Sequence, residues 1–256
     1  MLLLLSPAKT LDYSEPATAL HDQPRLLSDS QPLIDLLKDK SEPELMKLMK
    51  ISEDLATINR ERYQDFETPF DLNNAKQSIL AFKGDVYVGL GAEDFSEEDL
   101  QFAQEQIRIL SGLYGVLRPL DLMQPYRLEM GTRLQNERGK NLYEYWGARI
   151  TELLNADLSA DGQDKSVVNL ASKEYFSAVK PKELQGKLYQ IDFKEHRDGK
   201  YKIIAFYAKK ARGMMARYAV KNRITSPEGL KAFDVDGYTF NESLSEAQHF
   251  IFTRES

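Results

Sequence analysis

The chain has 256 residues, 42% hydrophobic and 29% charged, with 34 Lys and Arg against 40 Asp and Glu for a formal charge of −6. These proportions suit a soluble globular protein, and a chain of this length buries about three quarters of its unfolded surface without a disulfide or metal staple. Cysteine is absent, which excludes disulfides, thiolate catalysis, a thiol redox sensor and Cys-based zinc or iron–sulfur sites.

Met1-Leu2-Leu3-Leu4-Leu5 runs directly into Ser6-Pro7. Four leucines are too few for a signal h-region or a membrane span, so they predict a buried first strand and a cytoplasmic protein. Ser6, Lys9 and Thr10 then fall in a strand-end loop, a place that commonly faces a ligand crevice, and are candidate anion contacts. A tight turn with a solvated lysine is the plain alternative. Ser41-Glu-Pro-Glu44 is a capping box with proline in the first turn, and Leu45, Leu48 and Met49 form the inward face of the helix it opens. A second helix is expected from Ser52 to about Phe66, and a third from about Asp71 to Phe82. Ser96 and Asp99 cap a further helix, expected to end near Leu110-Ser111-Gly112.

Residues 111–131 lack a sustained period and hold two prolines and three glycines. So long and apolar an irregular stretch is expected to be ordered and functional. Arg118, Arg127, Arg133 and Glu129 lie in or beside it, where a guanidinium fork could meet phosphate or pair internally. A helix is expected over about 141–156, and Val167–Ala171 as a short buried strand with Lys173 just beyond its end. Strands near 187–194 and 201–207 are joined by Asp198-Gly199, a hairpin signal. A helix from Ala208, a short helix near 227–232 and closing strands near 237–240 and 248–253 complete the pattern. Interspersed helices and strands, with no linker, repeat or low-complexity tract, predict one α/β (mixed α+β) domain over 1–256, a central mixed sheet wrapped by helices.

Charge is unevenly placed. Between Lys194 and Arg223 ten cations face only Glu195 and Asp198, a net +8, which leaves −14 on the other 226 residues. A local excess of this kind on an acidic chain points to an anion site, although a solvated face is the commoner outcome. With the helix starting at Ala208, Lys209, Lys210 and Arg212 occupy its first turn, where the dipole disfavours each cation by roughly 0.3–1 kcal/mol. A bound phosphate or nearby carboxylates would offset this.

His21, His196 and His249 have no metal-ligand spacing, and no Gly-x-Ser-x-Gly elbow is present. No metal site and no cofactor are expected. Gly84-Asp-Val-Tyr-Val-Gly89 lacks the Lys-Ser/Thr of a phosphate loop. Lys47, Lys50, Ile51, Ser52 and Arg60, with Arg62, belong to a helical pair over about 42–66 whose short connection looks like a helix-hairpin-helix. Lys50 and Ser52 replace both glycines of that motif.

Five segments in order, Ser6–Asp12, Ala81–Leu90, Leu110–Gly131, Asn169–Phe176 and Phe206–Met215, resemble the peroxide stress resistance protein YaaA family along nearly the whole chain. The resemblance implies a cytoplasmic bacterial protein that helps cells withstand hydrogen peroxide by limiting unincorporated iron. It further implies a compact α/β unit with a basic cleft, a helix-hairpin-helix-like element and DNA binding. No catalytic residue set accompanies it. The leading expectation is therefore a non-enzymatic monomer that binds double-stranded DNA independently of sequence. Charge and chain position nominate Lys9, Arg118, Arg127, Lys173, Lys209, Lys210 and Arg212 as its phosphate contacts. The alternative is an enzyme on a nucleotide or other small phosphorylated ligand, with Glu129 as acid–base group assisted by Tyr114 or Lys173. Iron held on the acids Glu93, Asp94, Glu97, Glu98 and Asp99 ranks behind both, because those acids suit helix capping.

Overall fold

Leu2–Leu5, strand β1, is completely buried, as a parallel strand covered on both faces must be. In the computed structural model, which describes residues 1–14, 18–159 and 165–255, it lies inside an eight-stranded mixed sheet. The other strands are β2 (Ile107–Ser111), β3 (Gly115–Leu117), β4 (Ser166–Asn169), β5 (Lys187–Arg197), β6 (Lys200–Lys202), β7 (Thr239–Phe240) and β8 (His249–Glu255). Their order is β7-β8-β5-β4-β1-β2-β3, with β6 paired to β5. β8, β5, β4, β1 and β2 are mutually parallel, and β3, β6 and β7 run antiparallel to their neighbours. Leu3 pairs with Ile107 on one side and Val168 on the other. The chain thus leaves β1 in one direction to β2 and returns on the opposite side to β4. This reversal places a crevice outside the carboxyl end of β1.

The flanking helices are α1 (Leu27–Lys38), α2 (Glu42–Met49), α3 (Glu53–Gln64), α4 (Asp85–Leu90), α5 (Glu97–Gln106), α6 (Arg149–Leu158) and α7 (Ala205–Lys221). Both expected capping boxes form. The Ser41 N–H donates to Glu44 at 2.8 Å, and the Ser96 and Asp99 backbones and side chains exchange bonds at 3.2 Å. α2 and α3 meet across Lys50-Ile51-Ser52 as the spacing predicts. Lys50 adopts a left-handed conformation (φ 54°), and the Lys50 and Ile51 N–H groups both donate to the Met46 carbonyl.

Four expected elements are corrected. The helix from Ser96 stops at Gln106 and becomes β2 without a loop. The apolar run Ile107-Arg-Ile-Leu continues the helical pattern, but pairing with β1 overrides it. The helix expected over 71–82 is instead a turn, a two-residue strand at Lys76–Gln77, one helical turn at Ser78–Ala81 and a second short strand at Phe82–Lys83. Asp71 accepts the Asn73 and Asn74 N–H groups at 2.7 and 3.2 Å, a local competitor that helix formation does not survive. Gly147 (φ 54°) splits the helix expected over 141–156 into Leu142–Trp146 and α6. Finally, the strand expected over 201–207 ends at Lys202, and α7 begins at Ala205 rather than Ala208. The hairpin before it is as expected, with Asp198 and Gly199 both at positive φ.

That last correction removes the dipole penalty. Lys209 is the fifth residue of α7 and Arg212 the eighth, beyond the first turn where the helix terminus acts. The 111–131 stretch is core rather than surface. Tyr114 and Tyr126 stack edge-to-face at 5.2 Å, the Ser111 and Tyr126 hydroxyls are 2.6 Å apart, and the Trp146 indole donates to the Gly112 carbonyl at 3.0 Å.

Candidate functional site

Two loops leave the carboxyl ends of β1 and β4 side by side, and their serines tie them together. The Ser172 N–H donates to Ser6 Oγ at 2.8 Å, the Ser6 hydroxyl donates to Ser172 Oγ at 3.3 Å, and the Tyr87 hydroxyl donates to the Ser6 carbonyl at 3.1 Å. Over this floor opens a cavity of about 530 Å³. Lys9 and Thr10 line one wall, Lys83, Gly84, Asp85 and Val86 a second, Glu174 and Tyr175 a third, and Lys209 and Arg212 of α7 a fourth. Glu129 and Glu174 also wall a depression of about 870 Å³ that carries Lys40 from the α1–α2 link, Lys47 and Lys50 from the α2–α3 hairpin, and Arg133. The two spaces therefore lie side by side, with Glu129 and Glu174 in the walls of both.

Their walls are of mixed sign. Glu129 bridges two cations, Lys9 at 2.8 Å and Arg127 at 3.2 Å. Glu174 accepts the Gly131 N–H at 2.9 Å, and Lys83 pairs with Asp12 at 3.0 Å. Burial pushes the Tyr175 hydroxyl far up, an effect reinforced by Tyr126, Glu174 and Glu129, so it stays a neutral donor at every physiological pH. Arg212 is held below the usual arginine range by burial, opposed by the charge of Asp192.

Of the residues nominated from sequence, Lys9, Lys209 and Arg212 meet in the strand-end cavity, and Arg127 stands behind Lys9 through their shared Glu129. Lys47 and Lys50 reach the adjoining depression. Ile51 packs against the core, Ser52 caps α3 by accepting the Leu55 N–H at 3.4 Å, and Arg60 is exposed outside both linings. Arg118 lies elsewhere, engaged by Asp22 at 2.9 Å and buried Asp121 at 2.8 Å. Lys210 faces Asp236 at 4.0 Å, and Lys173 is exposed outside the lining. The acid–base trio does not converge. Glu129 is committed to two cations, and Tyr114 is fully buried with its hydroxyl on the Gln124 backbone. Sequence reading missed Lys83, Ser172, Glu174 and Tyr175. Lys83 sits beside the glycine pattern set aside for lacking a phosphate-loop ending, and the other three follow β4 as Lys9 follows β1.

A family model described as Peroxide stress protein YaaA matches residues 1–244. The chain belongs to this family. The match spans every element that builds the two spaces, from the Ser6 loop through α7. Among the described residues, no helix is long and apolar enough to cross a membrane, and no group of three or more His, Asp or Glu is placed to hold a metal ion.

Proposed function

We propose that this member of the peroxide stress family binds the phosphate backbone of double-stranded DNA along these two spaces, which together serve as its groove. Within a response that limits unincorporated iron, such binding would keep DNA covered against oxidation. The observation that supports the reading is that the two spaces lie side by side. Lys47 and Lys50 of the hairpin and Lys9, Lys209 and Arg212 of the strand-end cavity line adjoining walls that share Glu129 and Glu174. An extended polyanion can use both spaces, whereas a small ligand would fill one. Because the N–H groups of Lys50 and Ile51 are bonded to Met46, the hairpin contributes through its lysine side chains and not through its turn backbone.

Binding of this kind is sequence-independent and weakens steeply with salt, each phosphate contact contributing about 0.9 to the logarithmic slope. Fluorescence anisotropy of a short labelled duplex, titrated between about 50 and 200 mM salt, tests it with wild type and a Lys9→Ala/Lys47→Ala/Lys50→Ala variant. The variant is expected to bind more weakly at low salt and to lose about 2–3 from its slope. An unchanged affinity and slope would place the DNA surface elsewhere.

A further inference from the structure

Five cations project from α7: Lys209, Lys210, Arg212, Arg217 and Lys221. Three have carboxylate neighbours. Lys210 faces Asp236 at 4.0 Å, Arg217 grips Asp94 at 2.7 Å, and Lys221 meets Asp99 at 2.6 Å. Lys209 and Arg212 alone have no carboxylate within ion-pair distance among the described residues, Asp192 acting on Arg212 only through its charge while it pairs with His249 at 2.9 Å, and they alone of the five line the strand-end cavity. Three residues apart on a helix, their side chains stand on one face. The Arg212 guanidinium makes no hydrogen bond within the described structure, and its Nε is buried without an acceptor. Arg25 and Arg127 also have an unpartnered Nε, but each keeps a carboxylate on its outer nitrogens, Asp157 and Glu129 respectively. A partly buried guanidinium with neither kind of partner is costly unless something else supplies the acceptor.

From this we infer that the Lys209–Arg212 end of the cavity is a subsite for a phosphomonoester dianion. The source would be either a free nucleotide 5′-phosphate or the phosphorylated end of a DNA strand. Charge selects the monoester. Two unpaired cations match a terminal phosphate, which carries about −1.5 to −2 near neutral pH, better than an internal diester at −1. The guanidinium fork suits two phosphate oxygens at once, and the Ser172 hydroxyl on the cavity floor adds a donor. The carboxylates of the wall are accounted for. Glu129 is held by Lys9 and Arg127, Glu174 accepts the Gly131 N–H, and Asp85 opens α4, where the helix dipole offsets its charge. The subsite shares its cavity with the DNA-binding reading and rests on that reading only for the strand-end source.

Calorimetric titration with a deoxynucleoside 5′-monophosphate and with the corresponding dinucleoside phosphodiester tests the inference at about pH 7.5 and about pH 5.5, on either side of the second phosphate pKa near 6. The monophosphate is expected to bind, to prefer the higher pH, and to exceed the diester. Arg212→Gln is expected to weaken it by about 10- to 100-fold, the loss of one or two charge-assisted hydrogen bonds. Lys209→Ala, at an exposed position, serves as a second variant should Arg212→Gln fail to fold, and should reduce the pH preference. Comparing 5′-phosphorylated with 5′-hydroxyl duplexes separates the sources: a preference for the phosphorylated end assigns DNA ends, and none assigns free nucleotides. Equal binding of monoester and diester, or no monoester binding, would overturn the subsite and leave the groove reading standing. Monoester binding without any duplex binding would support the subsite and sink the DNA reading.

Discussion

The contact between α4 and α7 sets the geometry of the cavity, and two glycines make it possible. A Cβ placed on Gly213 would lie 1.8 Å from the Val86 carbonyl oxygen and 2.8 Å from the Leu90 nitrogen, and one on Gly89 would lie 2.1 Å from the Lys210 carbonyl oxygen. Each glycine therefore faces the backbone of the opposite helix. In Gly213→Ala the helices must separate by at least about 1.2 Å before the new methyl group reaches even a 3.0 Å contact. Overpacking of this kind costs about 1–3 kcal/mol, while alanine in a helix interior gains about 1 kcal/mol over glycine. With backbone overlap this deep the clash takes the upper end of that range, and the net loss is about 2 kcal/mol, a fall in Tm of roughly 4–8 °C for a chain of this size. Because Val86 and Arg212 line the same cavity from these two helices, the variant should also bind anions more weakly. Urea unfolding and thermal melting followed by circular dichroism measure the stability term. Gly89→Ala should behave alike, and the double variant should lose less than the sum, since one opening relieves both clashes. A Gly213→Ala protein that melts at or above the wild-type temperature would show that the helices are not this close and would refute the reasoning.

Asp157 holds Arg25 at 2.6 Å and Arg108 at 2.6 Å, and Arg108 is only 5% exposed. Asp157→Ala leaves that guanidinium buried and unpaired, so unfolding titrations should show a loss of about 3–5 kcal/mol; a loss below about 1 kcal/mol would mean that water reaches the site. Asp157 and Asp99 are among the carboxyls held low at acid pH. Burial alone would raise both, but Arg25 and Arg108 on the first, and Lys221, Arg223 and the Ser96 N–H on the second, hold them below the ordinary range. Their folded values lie under the unfolded value near 3.9, so the unfolded chain binds more protons as the pH falls. Stability should be level above about pH 5 and decline progressively below pH 4, with a shallower decline in Asp99→Asn; an unchanged acid limb in that variant would remove Asp99 from the account. In the groove, Glu129→Gln frees Lys9 and Arg127 and should strengthen duplex binding by about 2- to 5-fold, the worth of one exposed ion pair, whereas weaker binding in anisotropy would show that Glu129 organises the contacts.

What was legible in the chain follows from how far each interaction reaches. Both capping boxes, the Asp198-Gly199 turn and the short link at Lys50-Ile51-Ser52 were readable because their partners lie within a few residues, and the Leu2–Leu5 strand because an unbroken apolar run marks its own burial. Composition alone disposed of thiol chemistry. The conversion of Ile107–Ser111 into a central strand was not readable, since the same apolar residues serve a helix or a strand until β1 offers its edge. Nor was the start of α7, where Phe206-Tyr207 continues a strand-like aromatic run.

The candidate site divides in the same way. The basic segment between Lys194 and Arg223 is plain in the sequence, but which of its cations remain unpaired depends on carboxylates distant along the chain. Asp94 and Asp99 reach Arg217, Lys221 and Arg223 across more than a hundred residues, and Arg118 is taken by Asp22 in the same fashion. Once those pairs form, Lys209 and Arg212 are left facing the cavity beside Lys9. Local hydrogen bonding is written into neighbouring residues, whereas the neutralisation of charge is settled by whichever groups the packed sheet brings within about 4 Å.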